Sequence, residues 1–161
     1  MASVLYPGSF DPVTKGHVDV ILRLKKIFNK VVVLVADSPR KNYLFSRDER
    51  VALIQKAVGR TSGIKVVSSD DLTVNYAIKN KIKVIARSVR TVADWDYEYA
   101  LADGNKKLAP NIETLFIMAD PQHGFISSSL VREIAAYDGN TKPFVPANVA
   151  SELKKKTRGK K

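Results

Sequence analysis

Cysteine is absent, and histidine occurs only at positions 17 and 123. No disulfide, thiolate nucleophile or thiolate metal site can form, and a zinc site built on histidine is not expected. Long apolar runs are also missing. The longest, Val31-Val-Val-Leu-Val-Ala36, is strand-sized, against the roughly 20 residues needed to cross a bilayer. The opening Met1-Ala-Ser-Val4 lacks the charged segment and apolar stretch of a signal peptide, so a cytoplasmic protein without membrane contact is expected. Acidic residues are scarce: 16 Asp and Glu against 27 Lys and Arg give a net charge of +11. Part of that excess is the tail, where Lys154, Lys155, Lys156, Arg158, Lys160 and Lys161 face Glu152 alone. The tail reads as a solubilising helix end that frays from about residue 154. The remaining excess suits a protein that handles polyanions, either nucleic acid or phosphate esters. Aromatics are not interleaved with basic residues on any strand candidate, which argues against a nucleic-acid-binding module.

What is present is enough for one domain over residues 1–161. A 45% hydrophobic content excludes global disorder. Strands are expected at Ala2–Tyr6, Lys30–Ala36, Ile64–Val67, Lys83–Arg87 and Thr114–Met118, most of them continuously apolar as in a parallel sheet covered on both faces. Helical patterns separate them. One carries Val18, Ile21, Leu22, Leu24 and Phe28. The next opens on the capping box Ser46-Arg-Asp-Glu49 and runs through Val58. Thr73–Lys81, Val92–Lys107 and Ser128–Tyr137 follow, the last stopped by Asp-Gly-Asn with Gly139 available for a left-handed cap. Pro146 starts a final helix. The alternation predicts a Rossmann-like α/β fold: a five-stranded parallel sheet, helices on both faces and a C-terminal helix pair. In such sheets ligands sit beyond the carboxyl ends of the strands, so functional residues are sought there.

After the first strand comes Tyr6-Pro-Gly-Ser-Phe-Asp-Pro-Val-Thr-Lys-Gly-His17. Gly8 and Gly16 allow close backbone approach to a ligand. Thr14 and His17 lie three apart across a helix start, where free N–H groups and the helix dipole favour phosphate, and a histidine there can donate to a phosphoryl oxygen. After the fourth strand, Arg87-Ser88-Val89-Arg90 offers two guanidinium forks suited to phosphate. After the fifth, Ser127, Ser128 and Ser129 present hydroxyls and amides at a helix start, more than a cap needs. Thr73 also stands at a helix start, where a threonine can simply cap.

The first of these stretches resembles the signature of the (H/T)xGH nucleotidyltransferase superfamily, in the form Thr14-Lys-Gly-His17. Phe125-Ile-Ser-Ser-Ser-Leu-Val-Arg-Glu133 resembles its second, Ser-rich motif. With Arg87-Ser-Val-Arg90 and Asp94-Trp-Asp-Tyr-Glu98 in order, the chain from about Val4 to Val149 is similar to the bacterial phosphopantetheine adenylyltransferase family. The resemblance implies transfer of the adenylyl group of ATP to 4′-phosphopantetheine, giving dephospho-coenzyme A and pyrophosphate, in a homohexamer. It implies His17 as the catalytic residue. It implies an ATP site of Ser9, Phe10, His17, Ser88, Val89, Arg90, Glu98, His123, Gly124, Phe125, Ile126, Ser127, Ser128 and Ser129. The acceptor site would comprise Ser9, Lys41, Thr73, Arg87 and Asn105. Mg²⁺ would be held mainly through ATP phosphates, since no carboxylate cluster suits a dedicated cage. The chain departs from the family pattern at Ser88, where glycine is usual, and at His123-Gly124, which replaces an aromatic-containing stretch.

Overall fold

A computed structural model describes residues 2–39 and 41–158. Arg40 and the end of the basic tail, with Lys160 and Lys161, lie outside the described residues. The elements alternate as expected: β1 (Ser3–Gly8), α1 (Lys15–Ile27), β2 (Lys30–Ala36), α2 (Arg47–Val58), β3 (Ile64–Ser69), α3 (Thr73–Lys79), β4 (Val84–Val89), α4 (Val92–Leu108), β5 (Glu113–Met118), α5 (Ser128–Ala136) and α6 (Ala147–Arg158). The strands are all parallel, in the order β3-β2-β1-β4-β5.

Strand alternation builds two cores. Val4, Tyr6, Val31, Val33 and Val35 point to the face covered by Ile21 and Leu24 of α1, Ile54 of α2, Val131 of α5 and Leu153 of α6. Leu5, Val32, Leu34 and Ile85 point to the other, covered by Val74 and Ala77 of α3 together with Ala109 and Ile112. α4 runs over this second face with no buried residue along its length. Trp95 is its aromatic contact with the sheet, 4.8 Å between ring centroids from Phe116 of β5.

Several boundaries differ from the sequence expectation, and one changes the chemistry. β4 runs two residues past Arg87, so Ser88 is a strand residue on the face opposite Arg87 rather than its loop neighbour. The end of α5 also differs. Asp138, not Gly139, takes the left-handed conformation at φ 56°. The Asp138 N–H then donates to the Ala135 carbonyl and the Gly139 N–H to that of Ile134, closing a Schellman motif. Glycine is needed at 139 for space, because a Cβ there would stand 2.7 Å from Ile134 Cγ2. α6 continues through the basic run to Arg158, with Lys155 paired to Glu152 and Lys156 to Glu49.

Candidate functional site

β1 pairs with β2 on one side and β4 on the other, and the crossovers leave in opposite directions from this point. That is the switch point at which an open α/β sheet forms its ligand crevice. A cleft of about 430 Å³ lies there, beyond the carboxyl ends of β1 and β4.

The loop after β1 forms its floor. Phe10 is 2% exposed and adopts φ 49°, an uncommon conformation for an aromatic residue. Its ring lies on Gly8, where a Cβ would approach it to 2.8 Å. The ring also makes an edge contact with His17, 5.1 Å between centroids. Buried Asp11 anchors the loop: its carboxylate accepts from the amides of Leu44 at 2.8 Å and Phe45 at 2.9 Å. Arg50, 1% exposed, supports the same loop from below. It donates to the Ser9 carbonyl at 2.8 Å and pairs with Asp37 at 2.5 Å. Burial would push the Asp37 carboxyl up, but hydrogen bonds from Arg50 and Arg47 bring it below the usual range.

Thr14 is the N-cap of α1, and His17 is the third residue of the capping box. The Thr14 backbone N–H donates to His17 Nδ1 at 3.1 Å. An amide can only donate, so Nδ1 is the acceptor nitrogen and the proton of the neutral ring resides on Nε2. Burial, and the nearby Arg90 guanidinium, lower the His17 pKa to about 4. His17 is therefore a neutral hydrogen-bond donor at the cleft wall.

The two arginines at the end of β4 are held alike. Arg87 forks onto Glu98 through Nε to Oε2 and Nη2 to Oε1, and its Nη1 donates to the Pro7 carbonyl at 3.3 Å. Arg90 forks onto Asp94, Nε to Oδ2 at 3.0 Å and Nη2 to Oδ1 at 3.1 Å, and its Nη1 donates to the Ile126 carbonyl at 2.9 Å. Asp94 and Glu98 lie one turn apart on one stripe of α4, and Asn105 continues that stripe. Ser88 turns to the opposite face, its hydroxyl 3.2 Å from that of Tyr6. The side chain in place of the usual glycine thus has a partner within the sheet.

The three serines divide their work. Ser127 caps α5, accepting from the Leu130 amide at 3.1 Å. The Ser128 hydroxyl donates to the Pro12 carbonyl at 2.8 Å, tying α5 to the first loop. Ser129 lies 3.4 Å from Arg132, which also donates to the Asp11 carbonyl. Ser9, Phe10, His17, Lys41, Arg87, Ser88, Arg90, Glu98, His123, Ile126 and the serines all line the cleft. Val89, Gly124, Phe125, Thr73 and Asn105 are not among its lining residues. Phe125 is 90% exposed. Thr73 does not cap α3 either: Leu72 holds the N-cap position without a side-chain bond.

Comparison with known proteins settles the family. Residues 5–134 match the cytidylyltransferase-like family model. A phosphopantetheine adenylyltransferase of Anaeromyxobacter sp. (strain K) is 45% identical over 96% of this chain and 94% of its own length. One of Hahella chejuensis (strain KCTC 2396) is 46% identical over 95% of each chain. The chain belongs to the phosphopantetheine adenylyltransferase family. A third member, from Legionella pneumophila (strain Lens), is 43% identical over 94% of this chain and 89% of its own. The fold is shared more widely. The crystal structure of a lipopolysaccharide core biosynthesis protein from Thermoplasma volcanium GSS1 superposes with a TM-score of 0.54 at 22% identity, covering 74% of this chain and 97% of that one.

For a phosphopantetheine adenylyltransferase, the sequence reading missed several residues that shape the cleft. Asp94 and Arg132 both stand inside motifs singled out for their resemblance, but neither was given a task. The spacing of four from Arg90 to Asp94 was the available signal. Asp11 and Arg50 carried no such signal, because their partners at Leu44, Phe45, Ser9 and Asp37 are distant in sequence.

Proposed function

We propose that the cleft at the β1–β4 switch point is where this nucleotidyltransferase transfers the adenylyl group of ATP to 4′-phosphopantetheine, giving dephospho-coenzyme A and pyrophosphate for coenzyme A biosynthesis. The attacking phosphate is already anionic and pyrophosphate leaves without a proton, so no general base is needed. The requirement is in-line positioning and stabilisation of charge on the α-phosphoryl oxygens. The observation that carries this reading is the His17 tautomer: a neutral ring with its donor nitrogen left for the substrate.

His17 Nε2–H donates to the α-phosphate in the transition state. ATP is held by Ser9, Phe10, Ser88, Val89, Arg90, Glu98 and the segment His123–Ser129, with the α5 N-terminus and Arg90 taking the β- and γ-phosphates. Arg87 and Lys41 bind the acceptor phosphate, and Ser9 contacts both substrates. The pantetheine arm runs from Arg87 along the α4 stripe to Asn105 and past Thr73. Magnesium neutralises phosphate charge when bound. Among the described residues no three His, Asp or Glu side chains gather as a metal-binding group, and Asp94 and Glu98 are engaged by arginines. Mg²⁺ would be held mainly through the ATP phosphates and water. Among the described residues no helix is long and apolar enough to cross a membrane.

The protein acts as a homohexamer. α4 supports this, because Val92, Tyr97 and Leu108 are 84%, 64% and 65% exposed on a helix that buries nothing in the single chain.

The test is pyrophosphate release with ATP and Mg²⁺ across candidate acceptors. Turnover with 4′-phosphopantetheine is expected. Release with nicotinamide mononucleotide but none with phosphopantetheine would overturn the assignment.

A further inference from the structure

The stripe Asp94–Glu98 on α4 explains why two long cations at the end of one strand stand in fixed places. Each arginine is clipped twice, to a carboxylate of α4 and to a carbonyl of one phosphate-binding segment. For Arg90 the clips are Asp94 and the Ile126 carbonyl. A guanidinium has five N–H donors. Three are used here, which leaves one on each terminal nitrogen for a ligand. Both Asp94 oxygens are committed to Arg90, since Oδ2 also accepts its backbone N–H at 3.3 Å. The backbone of Asp94 is itself fixed, its N–H donating to the N-cap hydroxyl of Thr91 at 3.2 Å.

We propose that Asp94 is a positioning residue for the ATP phosphates, acting through Arg90. The proposal rests on the reading that Arg90 binds the triphosphate. A free arginine gives up rotamer freedom when it meets a phosphate, and that loss weakens binding. The Asp94 fork imposes the rotamer before ATP arrives. An ordinary exposed i,i+4 pair would only steady the helix. This one lines the cleft, and its arginine spans to the segment that opens α5. Glu98 serves Arg87 in the same way. α4 therefore sets the separation of the two cations, and so the distance between the donor and acceptor phosphates.

Removing Asp94 has a second consequence of opposite sign, because its negative charge lies beside a polyanion site. The experiment must let either effect win. Asp94→Asn and Asp94→Ala are compared with Arg90→Ala and with the Asp94→Ala/Arg90→Ala double variant. KM for each substrate and the calorimetric Kd for ATP are measured, with thermal midpoints to establish folding. The Asp94 variants are expected to weaken ATP roughly three- to tenfold, the effect of one unconstrained arginine side chain. KM for phosphopantetheine should stay within about twofold, being governed by Arg87. In the Arg90→Ala background, Asp94→Ala should weaken ATP no further and leave only the relief of charge repulsion, because the positioning effect runs through Arg90. Tighter or unchanged ATP binding in the single Asp94 variants would overturn the proposal, as would effects that multiply in the double variant. If Arg90→Ala itself leaves ATP affinity unchanged, the assignment of Arg90 to ATP fails first.

Discussion

In the proposed reaction, the single side chain of His17 serves a helix and the chemistry together. Its Nδ1 satisfies the Thr14 amide at the start of α1, and that bond fixes Nε2 as the donor. Replacing it with alanine removes a donor whose bond strengthens in the transition state, so kcat should fall about 10²–10³-fold while neither KM rises comparably. Loss of ATP affinity with kcat intact would contradict the role. The folded pKa of about 4 lies below the ordinary value of 6.5. The unfolded chain thus binds the proton first as pH falls. Stability should decline from about pH 6.5 downward and level off below about 4, whereas kcat stays independent of this group above about pH 5. Urea unfolding at several pH values should show a shallower slope for His17→Ala across that window. The proposed division of the two arginines by substrate is separable by kinetics. Arg87→Ala should raise KM mainly for phosphopantetheine and Arg90→Ala mainly for ATP, each about ten- to hundredfold for a lost charge-assisted bond. Lysine at Arg87 should rescue only in part, because its single charge cannot hold both the Glu98 fork and a phosphate. Equal ratios in both mutants would refute separate phosphate sites.

At the scale of elements, the termini of α1, α4 and α5 converge on the cleft, and each is held by local chemistry. Thr14, Thr91 and Ser127 cap the three helices through their own hydroxyls. The far end of α5 depends on Gly139, where a Cβ would meet the Ile134 carbonyl oxygen at 2.9 Å. Gly139→Ala should therefore destabilise the fold by about 1–3 kcal/mol, the usual range for overpacking. Activity at low temperature should persist, since the cleft lies at the other end of the helix. A thermal midpoint equal to wild type would show that the Schellman turn relaxes around the methyl group.

At the scale of the whole molecule, α4 presents carboxylates inward to the arginines and apolar side chains outward. In the proposed homohexamer, a charged residue at its exposed Tyr97 should therefore split the assembly, lowering the sedimentation mass from that of six chains of 17.8 kDa each. Activity should fall with it, because the helix that spaces Arg87 and Arg90 would lose its outer support. A variant of unchanged mass would remove Tyr97 from the interface.

Much of this molecule was written in local sequence. β2 spans Lys30–Ala36 as its β-branched run required, and α2 opens on the Ser46–Glu49 capping box. Alternation alone implied the parallel sheet, and from it the ligand side of the strands. These features depend on neighbours within one turn or one strand, where propensity and spacing act directly. The partners of Asp11, Arg50 and Arg87 could not be read the same way, since each bond spans an interval that only the packed chain closes. Tertiary structure likewise decided that β4 continues through Ser88, because pairing with Ile117 and Met118 of β5 extends a ladder that local sequence left open. That extension turns Arg87 toward Glu98 of α4 and Ser88 toward Tyr6, and so determines what each side chain touches.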